Sequence, residues 1–269
     1  METDMLVTIL GARGTAPTVG PQVAGYGGGT SCVLVRMGGQ TMILDAGSGI
    51  MAISRHLKEE EHSISLLLSH PHFDHLVGIP SCPVLYDPTR TVQIFAAPHG
   101  GLSPRQQVER LMSPPLWPVG PEAFQAQVSF HDLGNVLMLG NVRVTTMEGA
   151  HPGGCTVFRL EYGERSVVYA TDYELDEQSF PRLAAFAQGC TLLLCDGQYS
   201  DTELARHRGY GHSSWREAAR LGRECAAERL LIIHHAPWRS DAELDAAQPL
   251  LRNLFQNAAF ARDEEMIPI

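Results

Sequence analysis

Apolar residues fall in short, nearly unbroken blocks along the first quarter of the chain: "LVTIL" (Leu6–Leu10), "SCVLVR" (Ser31–Arg36), "TMILDAG" (Thr41–Gly47) and "ISLLLS" (Ile64–Ser69). Blocks of this length bounded by Gly, Asp or Ser read as β-strands. Because they lack strict alternation, they predict sheets covered on both faces. The Gly38-Gly39 pair is a hairpin signal, and a short helix is expected around Ile50–Leu57. The second half returns to the same style, with "VRVTTMEG", "TVFRLEYG", "SVVYATD", "TLLLCD" and "LLIIHH" as strands. Between and after them, "SSWREAARLGRECAAE" and "DAELDAAQPLLRNLF" carry apolar residues at three- and four-residue spacing, which predicts amphipathic helices. Two strand-rich halves around a loop-rich middle predict two packed sheets with helices outside. The 269 residues suit one α/β domain over 1–269 or two small ones, and the pattern offers no linker to divide them.

The stretch from Pro98 to Pro121, "PHGGLSPRQQVERLMSPPLWPVGP", differs in character. It is dense in Pro and Gly, with one short helical piece and an exposed-looking Leu116-Trp117. Two readings stand side by side: a surface excursion, or a lid insertion (98–121) over a site, since long loops in compact domains often serve as lids.

Composition narrows the classes. A hydrophobic content of 44% with 19% charged residues describes an ordinary soluble protein. No apolar run approaches the roughly eighteen residues of a membrane span. The start, "METDMLVTIL", lacks the basic head and small-residue cleavage site of a signal peptide. A cytoplasmic protein with no membrane partner is expected. The six cysteines form no CxxC pair and are expected as buried small hydrophobes rather than disulfides. Acidic residues outnumber basic ones 30 to 20, for a formal charge of −10. That balance opposes a polymeric nucleic-acid partner, which needs Lys/Arg neutralisation. A small anionic substrate stays compatible, because bound metal reverses the local field. The oligomeric state is not legible, and a homodimer is left open.

Chemistry concentrates in "LLLSHPHFDHLVGIP", Leu66 to Pro80, where four metal-capable side chains occupy six positions after an apolar strand. His70 and His72, two apart on extended backbone, can point the same way. Asp74 and His75 follow where the chain should turn into a helix, so they can face a second ion beside the first. Imidazole and carboxylate are the ligands that zinc and similar ions favour.

This stretch resembles the HxHxDH signature of the metallo-β-lactamase superfamily, which His70, His72, Asp74 and His75 match in spacing. The resemblance extends along the chain through "ILGARGTAP", "YGGGTSC" and "ILDAGSG". It implies an αββα four-layer sandwich of two mixed β-sheets with two divalent ions at one edge, zinc first and manganese or iron as alternatives. It places His151 ("MEGAHPGG") with His70 and His72 at one ion, and Asp172 ("YATD") as a bridging carboxylate. Either histidine of "LLIIHHAP" could complete the second ion's set with Asp74 and His75. The ribonuclease Z-like branch favours His235, with His234 facing the opposite side. Asp45 of "LDAG" resembles an outer residue that steadies the cluster, although a strand-end turn role explains it equally well.

Paired cations support hydrolysis of an ester, lactone, amide, thioester or phosphodiester. His212 in "GYGHSSWREAARLG" lies between Asp172 and the last ligand, where ribonuclease Z and small phosphodiesterases carry a catalytic histidine. There it contacts phosphate or protonates the leaving oxygen. The resemblance thus implies a metal-dependent hydrolase, first a phosphodiesterase acting on a small phosphodiester or cyclic nucleotide, with Asp74 and His212 catalytic. Lactonase, thioesterase or β-lactamase chemistry on the same metals is the alternative, and a ligand-binding sensor with little turnover is a third. No long basic arm of the ribonuclease Z kind is present. Tyr199, Arg206, Arg208 and Tyr210 are candidates for the mouth of the site.

Overall fold

The structure, a computed structural model, describes residues 5–269. Its strands are β1 (Leu6–Gly11), β2 (Cys32–Met37), β3 (Gln40–Leu44), β4 (Ser63–Leu68), β5 (Thr91–Ala96), β6 (Gln127–Asp132), β7 (Val136–Leu139), β8 (Val142–Gly149), β9 (Cys155–Tyr162), β10 (Arg165–Ala170), β11 (Leu192–Asp196), β12 (Arg229–Ile233), β13 (Ala258–Phe260) and β14 (Met266–Pro268). They form two seven-stranded sheets, ordered β14-β1-β2-β3-β4-β5-β6 and β13-β12-β11-β10-β9-β8-β7. Both are mixed: β3 to β6 run parallel in the first, and β10 to β13 in the second. The α-helices are α1 (Phe73–Leu76), α2 (Pro104–Leu111), α3 (Ser179–Phe186), α4 (Asp201–His207), α5 (Trp215–Glu224) and α6 (Asp241–Leu254).

Burial accounts for the four layers. Val7, Leu44, Leu67, Val144, Tyr169, Leu194 and Ile233 fill the space between the sheets. The opposite faces of the same strands are covered too. Val168, Leu193 and Ile232 lie under Trp215, Ala219 and Leu244 of α5 and α6. On the far side, Ile43, Leu66 and Ile94 lie under Ile50, Ile53 and Val108. Strands apolar on both faces are what the unbroken blocks predict, and this is the αββα sandwich. The glycine pair closes the β2–β3 hairpin with φ of 56° and 73°, a turn that needs left-handed backbone twice.

The expected helix around Ile50–Leu57 is instead a 3-10 segment, Ser48–Arg55. Its buried Ile50 and Ile53, three apart, eclipse at three residues per turn and both reach the core. The Pro98–Pro121 stretch divides. Helix α2 begins with a Ser103–Gln106 capping box and buries Val108 in the outer core. Gln107 Nε2 ties it to the Ala97 and Leu102 carbonyls. Leu116 is exposed, while Trp117 packs against the core. All six cysteines are free and buried. No helix of the described residues is long and apolar enough to cross a membrane.

Candidate metal centre

The strands β4, β8, β10, β11 and β12 all end at one rim of the sandwich, and each carries a His or Asp at its last residue or within the next two. After β4, the extended residues up to His72 lead into α1, a single turn that carries Asp74 and His75. This geometry separates the motif into two groups. His70 Nε2 lies 2.9 Å from His72 Nδ1, which in turn lies 3.0 Å from His151 Nε2. His70 Nε2 and His151 Nε2 are each 3.6 Å from Asp172 Oδ2. The other oxygen of Asp172, Oδ1, is 3.1 Å from both His75 Nε2 and His234 Nε2. Asp74 Oδ2 completes that second group, 3.1 Å from His234 Nε2 and 3.3 Å from His75 Nε2. One carboxylate therefore faces both groups, each of which could hold a metal ion.

The residues fit such ions. His75 Nε2 is fully buried between carboxylate oxygens yet has no hydrogen-bond partner, as expected for a donor atom aimed at a cation rather than at its neighbours. Burial, and then the neighbouring imidazoles, push His70 well below its ordinary pKa, which keeps its ring neutral. Burial lowers His72 and His151 as well. Burial would raise Asp172, but His234, His75 and His70 outweigh it and hold the carboxyl ionised. For Asp74, His75 and His234 likewise overcome burial. His75 goes the other way: burial would lower it, but Asp172, Asp74 and Asp45 raise it well above its ordinary value. A cation there would take the place of its proton, since neutral imidazoles and ionised carboxylates are the ligating forms.

The far sides of the His75 and His151 rings are held. Asp45 Oδ2 accepts from His75 Nδ1 at 2.7 Å, from Ser69 Oγ at 2.7 Å and from Tyr169 Oη at 2.9 Å. Asp45 thus steadies the cluster as well as ending β3. His151 Nδ1 is 2.9 Å from the Gly211 carbonyl. The Thr15 N–H donates to Asp74 Oδ2 at 2.7 Å. A side chain at Gly14 would run into His234, since a Cβ there would lie 2.1 Å from Nδ1. The loop Ala12–Thr15 therefore closes over the second group.

His235 is not in the cluster, which corrects the sequence expectation: His234 takes that place. In β12, Leu231 and Ile233 face the inter-sheet core while Leu230 and Ile232 face outward. Simple alternation would send His234 outward. His234 instead adopts φ of 61°, and this left-handed residue swings its ring onto the rim. His235 then turns outward, where Nε2 pairs with the Ala261 carbonyl at 2.9 Å and the ring meets Tyr26 and Phe260. Burial pushes it down to about 3. Asp45 and Asp172 are also left-handed, with φ of 59° and 48°. Asp and His tolerate this region better than most residues, and such strain gathers at functional sites.

His212 reaches the same rim. Its Nδ1 is 2.7 Å from Asp196 Oδ2, and its ring stacks on His234 with centroids 4.8 Å apart. Burial would lower it, but Asp196 and then Asp172 win and raise it to about 9. Sequence reasoning missed the role of Asp196. The signal was present: Asp196 ends an apolar strand in "LLLCD" just as Asp45 does in "MILD". Of the candidates for the mouth, Tyr210 is exposed, while Tyr199 is buried and stacked on His207. Arg208 is engaged by Glu217 and the Leu175 carbonyl.

Two seven-stranded sheets with adjoining His/Asp groups bridged by one carboxylate define a metallo-β-lactamase-fold protein. A family model, the beta-lactamase superfamily domain, matches residues 40–235, and the chain belongs to that family. It is 24% identical over 245 residues to the probable metallo-hydrolase YhfI of Bacillus subtilis, covering 86% of each chain. The crystal structure of that protein superposes with a TM-score of 0.75 at 20% identity over 98% of both. A ribonuclease Z of Lachnoclostridium phytofermentans is 20% identical over 98% of this chain and 97% of its own. A diphosphatase of the PhnP family shares the fold at a TM-score of 0.70 and 17% identity, over 98% and 96%.

Proposed function

We propose that the protein is a metal-dependent phosphodiesterase acting on a small phosphodiester, cyclic nucleotides included. The observation that carries this is the Asp196–His212 pair set against the two bridged donor groups. His70, His72 and His151 would hold one divalent ion and Asp74, His75 and His234 the other, with Asp172 shared and zinc the first choice. When bound, two such cations activate a shared water and clamp phosphoryl oxygens. The relatives carrying ribonuclease Z and diphosphatase names support phosphorus–oxygen chemistry.

The chain's own residues supply the rest. Asp196 engages Nδ1 of His212 and leaves Nε2 to serve the substrate. When the ester P–O bond breaks, His212 would give its Nε2 proton to the departing oxygen, and the proton released by the water that adds to phosphorus would restore the imidazole. Asp74, held by the Thr15 N–H, orients the second group.

Turnover of phosphodiester, lactone and β-lactam substrates by metal-reconstituted protein tests the reading. His212→Ala should slow a phosphodiester with a poor leaving group by about a hundredfold to ten-thousandfold and an activated aryl ester by less, with metal content unchanged. Loss of metal in that variant, or lactones turning over far faster than any phosphodiester, would overturn it.

A further inference from the structure

One strand over from β4, the end of β5 brings a second histidine to the rim. Register pairs Leu68 with Ala96, so Ala97 and Pro98 run on beside Ser69 and His70, and His99 follows them. His99 is only 9% exposed, and its Nε2 lies 3.1 Å from the Ser69 carbonyl. That contact makes Nε2 a donor, so in the neutral ring Nδ1 is the lone-pair acceptor, with no hydrogen-bond partner among the described residues. His99 lines a cleft of about 450 Å³ with Leu133, Asn135, Met147, Glu148 and Gly153. The cleft adjoins the first metal-capable group: a Cβ built on Gly153 would lie 3.9 Å from His72 Nε2, and one on Gly154 would lie 3.3 Å from His99 Nδ1.

Its lining is specific in kind. No Lys or Arg is present, and Glu148 supplies a carboxylate. His99 Nδ1 adds an acceptor and the Asn135 side-chain amide both an acceptor and donors, while Leu133 and Met147 add apolar surface. Such a wall favours a flat, uncharged group bearing N–H or O–H donors and disfavours a second phosphate, whose charge would meet Glu148 without a counter-ion. Resting on the phosphodiesterase reading above, we infer that this cleft is the specificity pocket, taking a nucleoside-like half of the substrate that carries no further phosphate, with His99 Nδ1 as an acceptor for it.

The test pairs hydrolysis with direct binding. Thymidine 5′-(p-nitrophenyl phosphate) and methyl p-nitrophenyl phosphate share a leaving group and differ in the other half. The thymidine ester should have the lower KM. His99→Ala should raise that KM alone by about 3- to 10-fold, one lost hydrogen bond, with kcat nearly unchanged. A thymidine ester carrying an added 3′-phosphate should be poorer, and Asn135→Lys should reverse that preference, a gain that does not depend on His99→Ala folding. Calorimetric titration with thymidine should show saturable binding, weakened in His99→Ala. Equal KM for the two esters, or no thymidine binding, would overturn the inference. If thymidine binds with the predicted His99 dependence while neither ester is hydrolysed, the cleft stands and the reaction class falls.

Discussion

The turn from Ser69 to Leu76 and the strand end from Ile233 to Ala236 supply the same rim with imidazoles by different means. In the turn, sequence spacing is enough. Extended backbone carries His70 and His72 to one side, and a single helical turn carries Asp74 and His75 to the next group. At the strand end two adjacent histidines compete, and spacing misleads. The left-handed φ of His234 decides between them, and that angle is imposed from outside the segment. The Gly14 N–H donates to the His235 carbonyl at 3.0 Å and the His235 N–H to the Ala12 carbonyl at 2.9 Å. Arg13, fully buried, reaches the Ala236 and Arg239 carbonyls. A local motif can be read residue by residue; a position fixed by a distant loop cannot.

The largest effect should come from the residue that both regions share. Asp172→Ala removes an oxygen from each group, so metal affinity should fall by more than the roughly 10- to 100-fold typical of an outer residue. Metal content measured after dialysis checks this, and two ions retained at wild-type affinity would show that Asp172 bridges nothing.

Next, the two neighbours at the strand end should separate cleanly. His234→Ala should cost one ion of the pair. His235→Ala should keep both and lower stability by about 1–3 kcal/mol, through a lost buried hydrogen bond and a small cavity. Metal analysis beside denaturant melts reads both quantities. The reverse pattern would return the ligand role to His235.

Asp45→Asn probes the turn from behind, where His75 Nδ1, Ser69 and Tyr169 all converge on the carboxylate. Its expected cost is about 10- to 100-fold in affinity for one ion, and competition with a chelator measures it. Unchanged affinity would mean that the α1 turn orients His75 unaided.

The smallest effect concerns the segment after the strand end. Glu203, at the start of α4, is hydrogen-bonded by Arg239 and by Trp238 Nε1. Burial opposes its ionisation, but its bonds to Ser200, Arg239 and Trp238 prevail and depress it to about 2. A depressed carboxyl stabilises the fold above its unfolded pKa and loses that contribution as pH falls toward about 2. Glu203→Gln should therefore flatten part of the acid limb of stability below roughly pH 4.5. At neutral pH it should cost under about 1 kcal/mol, because the pair is partly solvated. Melting temperature against pH gives the comparison, and parallel curves would remove Glu203 from the account.

Sequence by itself determined the two-sheet sandwich, because its strands are apolar on both faces and only stacked layers cover both. It also determined the His70–His75 motif, whose members are close enough along the chain for backbone period alone to aim them. Tertiary structure decided what depends on long-range closure. It turned the predicted helix after β3 into a 3-10 segment and built α2 into the outer layer. It joined Asp196 to His212 across a loop, and it chose His234 over His235. In each case a contact from another part of the chain fixed a backbone angle or a partner that the residue's own neighbours leave free.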